Sequence, residues 1–140
     1  MNFRKQLAIT TALLALTPFA AQVAAISWTG GVSNVWDTTT TGNWTPTGVP
    51  TTTSAVTISN LTNNPVQLKA NVSLNGSTGS LTVGVGTAPG QANTLNLNSG
   101  DTLTMGARPV SLLGGSITGP GTLSATGTIS GYGRGTNVPR

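Results

Sequence analysis

The chain has 140 residues with a formal net charge of +4, only 6% charged and 4% aromatic residues, no Cys and no His. This length allows one domain. The composition excludes a disulfide framework, the usual zinc and haem sites, a Cys nucleophile and a His general base.

Residues 1–25 read as a cleavable secretory signal helix. Arg4 and Lys5 form the positive start, Leu7 to Leu16 the apolar stretch, Pro18 its break, and Ala24-Ala25 the small residues before cleavage. The stretch is too short to span a bilayer comfortably, and no basic stop-transfer run follows, so stable membrane insertion after cleavage is not expected. After residue 25 the chain keeps Lys69, Arg108, Arg134 and Arg140 against Asp37 and Asp101, four cations against two acids, a net +2. These cations are scattered, so no nucleic-acid partner is expected. An exported chain without Cys fits passage across a second membrane in unfolded form, or equally a plain absence of Cys by chance or composition.

Residues 26–54 are expected to form an N-terminal cap and connector. They hold Trp28, Trp36 and Trp44 at a spacing of eight, with turn residues Gly30-Gly31 and Gly42-Asn43 between them. Residues 45–54 are a Pro/Gly/Thr connector. The first clear strand is Ala55 to Ile58, and Pro65 to Leu68 is a second.

Residues 55–140 are expected to form the coils of a β-solenoid. Short alternating segments recur: Val72-Ser73-Leu74, Leu81-Thr82-Val83, Leu95-Asn96-Leu97, Leu103-Thr104-Met105 and Val110-Ser111-Leu112. Gly79 to Gly84 matches Asp101 to Gly106 at a shift of 22. Gly115-Ser116-Ile117-Thr118, Gly121-Thr122-Leu123-Ser124 and Gly127-Thr128-Ile129-Ser130 then recur every six residues. Alternation turns the aliphatic residue inward and its Ser/Thr neighbours outward, and Gly permits the corners. One such strand cannot bury its residue alone. Stacked coils do so, with about 4.8 Å between strands. Three hexads make about one coil, close to the 22-residue shift. The fold class is therefore all-β: a short right-handed parallel β-helix behind a cleavable signal helix and a Trp-containing cap. An antiparallel meander or small sandwich is the alternative. The hexad register calls for an aliphatic residue at position 135, where Gly135 stands, so the last coil is expected to be uncapped and the chain truncated. End-to-end self-association through that coil would follow.

Trp28-Thr29-Gly30, Trp36-Asp37, Gly42-Asn43-Trp44, Val49-Pro50 and Val56-Thr57-Ile58 resemble the start of bacterial autotransporter-type passenger domains and other large secreted β-helix proteins. Gly114 to Leu123 and Gly127 to Gly133 are similar to their coil repeats. The resemblance covers most of the chain after residue 25. It implies a right-handed parallel β-helix at the cell surface or outside the cell. Neither the family's C-terminal membrane barrel nor its short sorting helix stands in this sequence.

No catalysis is expected. Asp37 and Asp101 are the only acids and lie far apart in sequence, whereas glycosidase chemistry needs two carboxylates about 5–10 Å apart. Each reads as a turn residue. The Ser and Thr hydroxyls have no evident activator, and no Gly-rich phosphate loop is present. No cofactor or metal is expected. Asn71, Asn75, Asn93, Asn96 and Asn98 read as turn residues, with stacked Asn ladders as the alternative. The leading functional reading is an exported surface or extracellular protein of structural or adhesive role, shown to glycans or to host or neighbour cell-surface proteins. A second reading is a small carbohydrate-binding module using Trp28, Trp36 and Trp44. A third is a non-functional remnant of a longer passenger.

Overall fold

A computed structural model describes residues 23–84 and 93–132. The expected signal segment falls mostly on residues 1–22, and Gly135 on the final stretch, both outside the described residues. The fold is all-β. Strands β1 (Ala25–Trp28), β2 (Val35–Trp36) and β3 (Trp44–Thr45) come first, with a single 3-10 turn at Thr41–Asn43. Then follow β4 (Ala55–Ile58), β5 (Val66–Leu68), β6 (Val72–Ser73), β7 (Ser80–Gly84), β8 (Thr94–Leu97) and β9 (Thr102–Gly106). The last are β10 (Val110–Leu113), β11 (Ser116–Thr118), β12 (Thr122–Ala125) and β13 (Ile129–Tyr132).

These strands build three sheets. The first has the order β13-β10-β7-β4-β1-β3, the second β11-β8-β5-β2 and the third β12-β9-β6. From β4 onward the chain visits the three sheets in strict rotation. Every pairing between these strands is parallel except β1 with β3, which is antiparallel. The pairing of β1 with β4 shows that regular structure starts before Ala55, earlier than the sequence pattern indicated.

Alternation explains the core. In the first sheet Ile26, Val56, Leu81, Val110 and Ile129 stand in one register column. Val66, Leu95 and Ile117 form a column in the second sheet, and Val72, Leu103 and Leu123 one in the third. Leu95 and Leu103 are fully buried, whereas Ile129 at the end of its column is 52% exposed. Full burial of such a side chain contributes about 1.5–3 kcal/mol. The polar residues between them make outward columns, such as Ser27, Thr57, Thr82, Ser111 and Ser130.

The 22-residue estimate holds for one step, Leu95 to Ile117 on the second sheet, but is not a uniform period. Steps from Val56 to Leu81, to Val110 and to Ile129 are 25, 29 and 19 residues. The two similar segments, Gly79 to Gly84 and Asp101 to Gly106, lie on different sheets. Leu81 neighbours Val56 and Val110, and Leu103 neighbours Val72 and Leu123. They resemble each other because each is an alternating strand with a two-aliphatic inward face, a local demand common to all three sheets. The three hexads place Ile117, Leu123 and Ile129 on the second, third and first sheets in turn.

Gly119 shows why a corner needs glycine. Its φ is +101°, and a Cβ there would collide with Asn96 Oδ1 and the Leu97 carbonyl.

Candidate functional site

The first turn of the chain carries most of its chemically distinctive side chains. Trp28, Trp36 and Trp44 lie on β1, β2 and β3, at the N-terminal edge of the first two sheets. They are 1%, 1% and 2% exposed. Trp44 sits between the other two, with ring centroids 4.9 Å from Trp28 and 5.1 Å from Trp36, both edge to face. Trp36 also stands in register with Leu68 and Leu97. The structure thus brings together the three residues singled out as sugar-stacking candidates, but it closes their faces inside the core. The reason is packing: they are the largest apolar side chains at the end of an aliphatic stack, where the aliphatic columns alone would leave apolar surface in water. A Trp at these positions has no open ring for a sugar.

Asn43, the residue before Trp44, holds this end together. It is fully buried. Its Oδ1 accepts from the Val32 and Ser33 backbone N–H groups, both at 2.9 Å. Its Nδ2 donates to the Val35 carbonyl at 2.8 Å and to the Ser33 hydroxyl at 3.0 Å. Its own carbonyl accepts from Thr29 N–H at 2.8 Å. The sequence marked Asn43 only as part of a Gly-Asn turn. A single Asn between Gly and Trp carries no signal that separates a buried clamp from an exposed turn.

Asp37 follows Trp36 and closes a turn. Its Oδ1 accepts from the N–H groups of Thr39 (2.8 Å) and Thr40 (2.6 Å) and from the Thr39 hydroxyl (3.1 Å). Its Oδ2 accepts from the Thr40 hydroxyl at 2.9 Å. Burial pushes its pKa up, but the backbone donors of Thr40 and Thr39 and their hydroxyls outweigh this and hold it below the ordinary carboxylate value. Asp101 lies two turns further along, between β8 and β9, where its N–H donates to the Asn98 carbonyl and its own carbonyl accepts from Thr122 N–H. Among the described residues no group of three or more His, Cys, Asp or Glu is placed to hold a metal ion.

A groove of about 380 Å³ opens beside Asp37. Trp36 and Asp37, Pro50 and Thr52, and Val72 and Ser73 of β6 are among the residues that line it. It lies where the first turn of the chain leaves the third sheet without a strand: β6 is the terminal strand of that sheet. Thr52 is anchored by Gly76 N–H, which donates to the Thr52 carbonyl at 2.9 Å.

The Asn residues divide by environment. Asn96 is a strand residue, not a turn residue, and its Nδ2 donates to Gln67 Oε1 across the outer face at 3.0 Å. Asn93 is fully buried and donates to the Asn60 carbonyl at 2.9 Å. Asn71 Oδ1 caps Thr102 N–H at 2.9 Å. No helix among the described residues is long and apolar enough to cross a membrane.

Comparison with known proteins finds no matching family model, no matching curated protein and no matching solved structure.

Proposed function

We propose that the chain is an exported protein whose described part is a short right-handed parallel β-helix, with a structural or adhesive role at the cell surface or outside the cell. The observation that carries this reading is the strict rotation of strands through three parallel sheets with aliphatic columns inside. Parallel strands joined by crossovers in one sheet are nearly always wound right-handed. Such a stack is stiff, because each rung is hydrogen-bonded to the next. Its outer columns of Ser, Thr, Asn and Gln offer repeated donors and acceptors at a strand spacing of about 4.8 Å. These columns suit many weak contacts to glycans or to proteins on neighbouring or host cells. End-to-end association of copies through the last described rung, where Ile129 is 52% exposed, belongs to the same reading.

Export rests on the sequence of residues 1–25. Glycan stacking on Trp28, Trp36 and Trp44 draws no support from their buried positions, so any sugar contact is assigned to the outer polar columns instead.

The test has two arms. Cells producing the full chain are fractionated, and the protein is sequenced from its N-terminus; a start near Ile26 in the periplasmic, surface or medium fraction is expected. A full-length product retained in the cytosol overturns export. Beads coated with the protein are then offered to cells, with a Thr57→Ala/Thr82→Ala variant as control. Binding that drops in the variant at unchanged stability supports adhesion through the outer column; absence of binding overturns the adhesive role.

A further inference from the structure

The groove beside β6 borders the free edge of the third sheet. Leu74 N–H donates to the Thr104 carbonyl at 2.8 Å, and Ser73 stands in register with Thr104. In a parallel ladder, Thr104 then bonds the residues on either side of Ser73. The N–H and C=O of Ser73 point the other way, off the sheet and toward the groove. Unpaired edge groups of this kind are a template for another strand.

The lining sets what kind of strand fits. An extended segment rises about 3.3 Å per residue, so three residues need about 10 Å. The volume of about 380 Å³ is at the small end of the ~300–1,000 Å³ seen for ligand pockets. Val72, 6% exposed, lies in the inward column that β9 and β12 continue with Leu103 and Leu123. Val72 also lines the groove, so the part of it next to β6 is apolar and suits an aliphatic side chain. Asp37, also in the lining, accepts at Oδ2 a single hydrogen bond among the described residues, from the Thr40 hydroxyl, and a carboxylate oxygen can accept another from a cationic donor.

We propose that this groove docks an extended peptide strand from another protein, which pairs with Ser73 on the free edge of the third sheet, sets a small aliphatic side chain beside Val72 and points a Lys or Arg at Asp37. Backbone pairing supplies the affinity, and the aliphatic and basic residues supply the choice of partner. A sugar is the less suitable occupant, because the indole of Trp36 in the lining is closed to stacking. The inference does not depend on export or on the adhesive role of the outer columns; it needs only the free edge and the groove lining.

The experiment is a nitrogen-15 NMR titration of the full chain with the peptide Lys-Thr-Val-Thr-Lys. The same peptide N-methylated at its Thr and Val amides, a version with Glu in place of Lys, and chitotetraose serve as comparison probes. Shift changes confined to Asp37, Thr38, Thr52, Val72 and Ser73 are expected with the Lys peptide. The N-methylated peptide is expected to bind about tenfold more weakly or worse, since it cannot complete the ladder. The Glu peptide is also expected to bind more weakly, by a margin that shrinks as salt rises. Asp37→Asn, which keeps Oδ1 for the Thr39 and Thr40 N–H groups, is expected to abolish the preference for Lys over Glu. A spectrum otherwise like the wild type shows that this variant is folded, and Thr38→Lys offers a second way to reverse the charge there. Groove shifts that are absent with the Lys peptide, or equal with the N-methylated one, overturn the proposal. So does equal binding of the Lys and Glu peptides, or binding of chitotetraose alone.

Discussion

Trp28 and Trp44 face each other across the antiparallel pair of β1 and β3, their ring centroids 4.9 Å apart and their planes at 83°. This one antiparallel pairing folds the start of the chain back over the end of the stack, so that its first rung is closed by aromatic rings. Trp28→Ala and Trp44→Ala should each cost about 3–5 kcal/mol, the usual loss for emptying a buried aromatic site. Urea denaturation followed by circular dichroism measures it. A loss under about 1 kcal/mol at both positions would show that the rings carry no core packing.

Asn43 makes the second strong prediction. Asn43→Ala leaves the Val32 and Ser33 N–H groups and the Val35 carbonyl without their side-chain partner inside the protein. Unmade buried hydrogen bonds cost about 1–3 kcal/mol each, with partial relief from local movement and entering water. Asn43→Ala should therefore destabilise the fold by several kcal/mol by that measure, whereas Asn75→Ala, at an exposed position, should fall within about 0.5 kcal/mol of wild type. Equal stability of the two variants in denaturant titration would remove the clamp role of Asn43.

Asp37 predicts a pH dependence. Its folded pKa lies below the ordinary carboxylate value, so the folded state favours the ionised form. The stabilisation is fully present above the unfolded value and is lost as pH falls through the folded value. Melting temperatures measured from neutral pH down past pH 3.8 should thus fall at the acid end by more in wild type than in Asp37→Asn. Parallel curves for the two proteins would contradict the assignment.

The corners allow a matched comparison. Gly100 has φ +85° with open space around its Cβ position, whereas Gly119 has φ +101° and no room. Gly100→Ala should cost about 1–2 kcal/mol, the price of a left-handed residue with a Cβ. Gly119→Ala should cost distinctly more, because Asn96 and Leu97 must also move. Thermal melts of the two variants side by side decide the order.

The inward columns should dominate stability over the outward ones. Leu95→Ala, at a fully buried site between Val66 and Ile117, should lose about 2–5 kcal/mol. Thr82→Ala on the outer face should change stability by no more than about 0.5 kcal/mol. A comparable loss at both sites would contradict the inward and outward assignment.

Alternation alone located most strands and their buried sides. Leu95, Leu97, Leu103 and Met105 were legible as inward residues because a strand's two faces are set by adjacent side chains, a purely local rule. The opening strands β1 and β2 were not legible. Ile26-Ser27-Trp28 and Val35-Trp36 are too short to show a period among Gly, Ser and Asn, and they become strands by pairing with β4 and β5. The candidate site was legible only in part. Three tryptophans in 17 residues announced a cluster, yet nothing in their spacing told an exposed stacking face from a buried one.

By itself, then, the sequence determined that this is an all-β chain of short alternating strands with glycine corners, because propensity and alternation act over a few residues. The tertiary structure decided the rest. It set Leu81 beside Val110 rather than beside the look-alike Leu103, turned the three indoles inward, buried Asn43 and left the edge at Ser73 open. Each of these depends on how far one rung is displaced from the next, across 19 to 29 residues of chain in the first sheet from Val56 onward, and that displacement is chosen by the packing of all three sheets at once.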